Sequence, residues 1–383
     1  MENNRTEEKR RITAAIALAI ACVIESFAMW NLYSWYSFSA PLGTLFSFAF
    51  LIVIFFATVT LKEAVRDPFF YIMAAAAVIA GLNLLIIDSG KGAWLTAADV
   101  LLVAYISERM KLPRICIGFL LSYIGFYFFY WTYDVKGYFK GYNTNYGGLV
   151  LITGFVFAIT AMLFFAEKLK ETEKGGARFL YISILFMFAW GYNIIAWYRA
   201  RCALLGLVVF AALMLVPLKV WKNKVFYTAL TAVMTFGAIA VSLLYVWLGR
   251  FSDRFSIRIF YKDIISGRDA IWADLWNAFL KMPLTGIGSS YEINVDWMGG
   301  MFEVHNGLLD ILIVHGVFVF AATLVLLIRS LLKLREKAGE SIVAKSATAA
   351  VFALLAASFM ENFFIVPPFL MCTLALIAIA RSV

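Results

Sequence analysis

Apolar residues fill this chain in long blocks, broken by short polar or charged interruptions. Blocks of about 15 to 23 residues recur from one end to the other, and a bilayer core needs roughly 20 per helix. Twelve read as spans: 12–32, 44–61, 69–87, 92–106, 115–133, 146–165, 179–197, 202–216, 225–247, 307–328, 344–364 and 369–380. The fourth, eighth and twelfth are short, so the pattern predicts an all-α polytopic membrane protein of about 12 transmembrane helices. The seven prolines (41, 68, 113, 217, 283, 367 and 368) fall at predicted span ends or in loops, where a missing N–H is tolerated. No Pro-, Gly- or Ser-rich linker divides the chain, so residues 1–383 read as one membrane domain. No paired, Gly/Pro-broken spans mark an inverted-repeat transporter.

One interruption, 248–306, is much longer than the rest. Ser266 and Asp269 have capping-box-like spacing at its middle. Ile271, Trp272, Leu275, Trp276, Phe279 and Leu280 follow at helical spacing, and Pro283 stops the run. The segment is too short to span. Two tryptophans on one face predict an amphipathic helix lying in the membrane interface.

Composition supports this class. Of 383 residues, 63% are hydrophobic and 15% charged, where a soluble domain carries roughly 25% charged. Net charge is +9, but its placement says more than its size. With a cytoplasmic N-terminus, 22 of the 33 Lys and Arg residues fall on the inner side, and six of the rest lie in the long loop. Long loops obey the positive-inside rule poorly. This predicts cytoplasmic termini and a long loop on the outer, periplasmic side of a bacterial inner membrane. A nucleic-acid binder needs a basic patch on a soluble face, and the blocks leave no such domain. The first block, behind Arg5, Lys9, Arg10 and Arg11, reads as a retained span. Aromatics gather at the outer ends, among them Trp30, Tyr33, Trp35, Tyr36, Tyr127, Tyr130, Trp131 and Tyr133. The four cysteines lie inside apolar blocks and show no metal-ligand spacing.

Candidate chemistry gathers in and around the long loop. Arg268 lies four residues before Trp272, on the stripe expected to face the membrane. A guanidinium there suits a phosphate at headgroup depth, helped by the helix N-terminus; snorkelling to lipid phosphate is the plainer alternative. His305-Asn306 opens the tenth block, and a neutral imidazole there can act as a base, or serve as an interfacial hydrogen-bonding residue. His315 lies ten residues deeper and reads as a packing residue. Arg199 and Arg201 open the eighth block, about 200° apart on a helix, so one faces the bundle more easily than the other. Glu25, Asp99 and Glu361 are acids inside blocks, where charge is costly. Glu361 is placed to orient His305 or to hold an arginine. In Leu284-Thr285-Gly286-Ile287-Gly288 the glycines read first as a turn.

Several of these stretches together resemble the O-antigen ligase and polymerase superfamily. They are Gly267-Arg268 with Trp272; Pro283-Leu284 with Gly286 and Gly288; His305-Asn306 with Leu308-Leu309 and Gly316; the Arg201-Cys202-Ala203-Leu204-Leu205 entry; and Asn145 in the YNTNYGG run. Ala200 stands where the family has Ser, and His315 departs from the family's pattern before Gly316. The resemblance implies a GT-C-type, inverting glycosyltransferase that uses no metal or other cofactor. It implies transfer of a glycan from undecaprenyl diphosphate to a lipid A-core sugar hydroxyl in the periplasm. His305 becomes the catalytic base, and Arg268, Arg201, Arg199, Asn306, Asn145 and Glu361 become substrate-binding residues. A single large outer loop favours ligase over polymerase, the first alternative; a non-enzymatic transporter is the second.

Overall fold

The computed structural model describes residues 2–30, 32–87, 90–133, 144–251, 257–259, 262–265, 267–293, 303–362 and 364–383. Side chains are described for these except 2–5, 27–30, 32–42, 91, 131–133, 144 and 262. In chain order the helices are α1 (Glu2–Trp30), α2 (Leu32–Thr58), α3 (Leu61–Ala64), α4 (Pro68–Ile86), α5 (Lys91–Ile106), α6 (Arg114–Tyr133), α7 (Thr144–Leu169) and α8 (Lys174–Tyr198). They continue as α9 (Arg201–Leu215), α10 (Leu218–Trp221), α11 (Lys224–Gly249), α12 (Arg268–Phe279), α13 (Gly307–Leu332), α14 (Arg335–Glu340), α15 (Ile342–Ala357) and α16 (Pro367–Ser382). Between α11 and α12, β1 (Arg258–Ile259) pairs antiparallel with β2 (Lys262–Asp263).

Each apolar block is helical. Among the described residues, α4, α7, α8, α11 and the stretch Gly307–Glu340 are long and apolar enough to cross a membrane, and six shorter apolar helices accompany them. This is consistent with a polytopic membrane protein. The helices sort into two layers. Along α15, every residue from Val343 to Ala357 is buried, and α16 is buried from Pro368 to Ala380. Small side chains permit this: a Cβ on Gly206 of α9 would stand 3.2 Å from the Ala353 carbonyl oxygen of α15. Close backbone approach is how helices associate where lipid supplies no hydrophobic drive. The outer helices α4, α8 and α11 present Leu85, Leu185, Phe186 and Val225 at the surface. In water such faces would promote aggregation; against lipid they are the solvated side.

Three expectations change. α2 starts at Leu32, so Pro41 lies inside a helix rather than in a loop; neighbouring helices can offset the backbone bond it removes. α15 ends at Ala357, so Glu361 sits in the turn before α16, not within a span. That turn is held by Ser358 Oγ, which accepts from Phe364 N (3.2 Å). Finally, most of the α12 stripe packs on the bundle, although Leu280 at its end is 67% exposed. Ile271, Trp272, Leu275 and Phe279 are buried against the bundle, and Arg268 on the same stripe is only 8% exposed. Trp272 packs on Tyr245 of α11 with ring centroids 5.1 Å apart. An apolar stripe gains as much from protein as from lipid, so periodicity alone does not choose between them. The expected capping residue Ser266 lies outside the described residues; the N-cap is Gly267, in a left-handed conformation. The side chains of Trp30, Tyr33, Trp35, Tyr36, Trp131 and Tyr133 also lie outside the description.

The Gly286/Gly288 segment is more than a turn. It threads into a break in α13, where Gly316 has φ 83° and ψ 175°. Ile287 N donates to Ile313 O (2.8 Å), Gly288 N to Val314 O (3.2 Å) and Val317 N to Pro283 O (2.9 Å). A Cβ on Gly286 would stand 2.4 Å from Val314 O, and one on Gly316 2.2 Å from Leu284 O. Glycine at both positions lets two backbones touch and exchange bonds that the broken helix gives up. Asn83 of α4 seals the crossing by donating to Thr285 O at 2.8 Å.

Candidate functional site

The starts of α7, α12 and α13 and the α15–α16 turn meet around one carboxylate. Glu361 is 5% exposed. Its Oε1 accepts from Arg268 Nη2 (2.8 Å) and from Asn145 Nδ2 (2.7 Å). Its Oε2 lies 3.1 Å from His305 Nδ1. Three residues from three other parts of the chain thus share one acid. Burial works to raise that carboxyl, but the His305 hydrogen bond and the Arg268 guanidinium outweigh it and hold Glu361 below the usual carboxylate range. In a neutral imidazole, an ionised Glu361 favours the tautomer with its proton on Nδ1, and His305 Nε2 then carries the lone pair.

The backbone presents His305 deliberately. Its φ is 54°, a conformation unfavourable for a residue with a Cβ. Three contacts fix it. Trp272 Nε1 donates to Val304 O (2.7 Å), Asn306 N donates to Asn362 Oδ1 (2.8 Å), and Asn306 Oδ1 caps α13 by accepting from Leu309 N (3.1 Å). Asn306 also donates to Ala238 O (2.9 Å) and is fully buried. Its polar atoms are thus engaged as a helix cap and strut, away from any open space. Trp272 and Asn362 were not singled out as site residues in the sequence, because neither residue type signals chemistry by itself.

Beside Glu361 lies a cavity of about 170 Å³, lined by Asn145, Arg201, Cys202, Tyr245, Arg268 and Met360 among others. That is room for several water-sized groups. Arg201 opens α9 and Arg268 opens α12, and neither helix has a side-chain cap. Two helix N-termini, each led by a guanidinium, therefore converge on one space, the arrangement that favours an anion. Arg201 is steadied by the carbonyls of Asp263 and Ile264 at the end of β2. Arg268 Nη2 also donates to Met360 O (2.9 Å), while its buried Nε has no hydrogen-bond partner among the described residues. Arg199 is the exposed, left-handed C-cap of α8 and does not line the cavity. Among the described residues, no group of three His, Cys, Asp or Glu is placed to hold a metal.

Residues 186–324 match the family model described as O-antigen ligase. Over this segment, less than half of the chain, the protein is similar to the O-antigen ligase family. The match runs from α8 into α13 and includes Arg201, Arg268 and His305. The family implies a membrane glycosyltransferase-like enzyme acting on a lipid-linked glycan and an acceptor. Asn145 and Glu361 lie outside the matched segment, and only the folded bundle brings them to it. No curated protein and no solved structure matches the chain.

Proposed function

We propose that this protein transfers a glycan from undecaprenyl diphosphate to a sugar hydroxyl of lipid A-core, on the periplasmic side of the inner membrane. The observation that carries the reading is the sharing of Glu361 between His305 and Arg268, beside a cavity that also takes in Arg201. His305 Nε2 removes the acceptor hydroxyl proton as that oxygen attacks the anomeric carbon. The bond from that carbon to the diphosphate oxygen breaks on the opposite face, so the configuration inverts. Undecaprenyl diphosphate leaves with the electron pair. Diphosphate is a good leaving group, so the site must supply a base and cations for the departing charge. Arg201 and Arg268 fill the second role; guanidinium forks suit phosphate oxygens. Glu361 keeps His305 in the tautomer with Nε2 unprotonated and stabilises the imidazolium that forms.

The test is transfer in detergent by purified protein, with a polyprenyl-diphosphate-linked glycan as donor. Arg268→Ala should weaken donor use, raising donor KM more than acceptor KM; unchanged donor dependence would show that the arginine only braces the turn. Deleting the gene separates ligase from polymerase. Loss of all glycan from lipid A-core supports ligation, whereas single repeats remaining attached support the polymerase.

A further inference from the structure

A second recess lies on the lipid-facing side of α6 and α7. It is an open groove of about 650 Å³ lined by Arg114, Gly118, Phe119, Tyr123, Phe165 and Lys168, with Ile115, Ser122 and Phe126 completing it. It cannot be part of the His305 site. Asn145 stands at the start of α7 and Lys168 at its end, about 35 Å apart at 1.5 Å per residue. The two residues mark opposite ends of the bundle.

The groove is chemically divided. Its length is aromatic: Phe119 and Tyr123 are stacked, with centroids 5.6 Å apart and planes 12° off parallel. Phe126 is 61% and Ile115 82% exposed. At one end stand two cations. Arg114 opens α6 and Lys168 lies one residue before the end of α7, so both mark the same end of this antiparallel pair. Both are exposed, and neither takes part in a salt bridge among the described residues. Arg114 sits at the positive end of its own helix, where a cation is disfavoured. Helix stability therefore does not account for it. Arg11, which bonds Leu112 O (2.7 Å), and Ser382, which accepts from Leu112 N (2.7 Å), bring both chain termini to this same end.

From this charge complementarity we infer that the α6–α7 groove is a binding site for an anionic glycerophospholipid of the leaflet opposite the His305 site. The headgroup phosphate sits between Arg114 and Lys168, and one acyl chain lies along Phe119, Tyr123 and Phe126. Basic residues near a membrane surface select anionic over zwitterionic headgroups. The aromatic floor gives the chain a fixed wall that bulk lipid lacks.

Native mass spectrometry of the full-length protein tests this, with phosphatidylglycerol and phosphatidylethanolamine of identical chains supplied in equal amount. Wild type should retain phosphatidylglycerol preferentially. The double variant Arg114→Ala/Lys168→Ala should lower that retention about tenfold. Ser122→Trp, which fills the groove and leaves both cations, should lower it as well. Lys219→Ala removes another exposed basic residue at the same end, outside the groove, and should change nothing. Equal retention of the two lipids, an unaffected double variant, an equal loss in Lys219→Ala, or displacement of phosphatidylglycerol by an equimolar polyprenyl phosphate would each overturn the assignment. None of these readouts depends on glycan transfer.

Discussion

Two carboxylate networks occupy opposite ends of this bundle, and their chemistry looks alike. At one end Glu361 holds Arg268, Asn145 and His305. At the other, Asp67 and Glu108 meet three cations. Arg109 bridges both acids, Arg329 lies 2.7 Å from Glu108 and 3.5 Å from Asp67, and Lys333 is 2.7 Å from Glu108. Arg329 also covers the Phe69 ring at 3.6 Å. The second network closes on itself: each charge faces an opposite one, and the result ties the start of α4 and the ends of α5 and α13 together. The first does not close. His305 keeps a ring nitrogen, and the cavity with Arg201 lies alongside. Charge pairing is common to both; what distinguishes a candidate site from a staple is an imidazole nitrogen left over beside a space to use it in.

This contrast is open to attack by substitution. The largest effect should come from His305→Ala, which should lower glycan transfer by about 10²- to 10⁴-fold, the usual worth of a general base, while membrane insertion stays normal. Full activity in that variant removes the proposed base. Next, Glu361→Ala should destabilise the protein by about 3–5 kcal/mol, because it strands the buried Arg268, and Glu108→Ala should cost less, because its cations are partly exposed and Arg109 and Arg329 keep Asp67. Thermal unfolding in detergent measures that loss. Transfer by the surviving folded fraction should collapse only in the Glu361 variant; an equal collapse in both would erase the distinction between the networks.

Gly286→Ala tests the backbone crossing with α13. Its φ is +75° and its Cβ would press on Val314 O, so about 1–3 kcal/mol of stability should go. Gly316→Ala should do the same, and unaltered melting in both would mean the crossing is not tight. The smallest effect is on acid stability. Glu361 is held below its unfolded value, so its contribution is complete above roughly pH 4.3 and fades as pH falls through the lower folded value. Glu361→Gln should therefore show a flatter acid limb than wild type in melting temperature against pH; parallel limbs would show that the carboxylate gains nothing from its partners.

Much of this was legible along the chain. The apolar blocks became helices among the described residues, since a run of such length and composition has few other ways to satisfy its backbone in lipid. Arg268, His305 and the two spaced glycines stood out because their residue types are rare or special in such surroundings. Other features were hidden. Trp272 reads as one more apolar residue, although its indole N–H fixes the backbone before His305. Asn306 looks like a substrate ligand beside a histidine, yet caps a helix. The stripe of α12 has a clear period, but period does not say whether protein or lipid receives it.

The sequence by itself determined the class, the helices and the residue types able to do phosphate and proton chemistry, because hydrophobic length and special residue types are local properties. Only the tertiary structure decided that Glu361, from a turn near the far end of the chain, joins Arg268, Asn145 and His305. It also decided that Gly286 and Gly316 are partners. Pairings across such separations depend on how helices pack, and packing is set by the fit of all their surfaces at once.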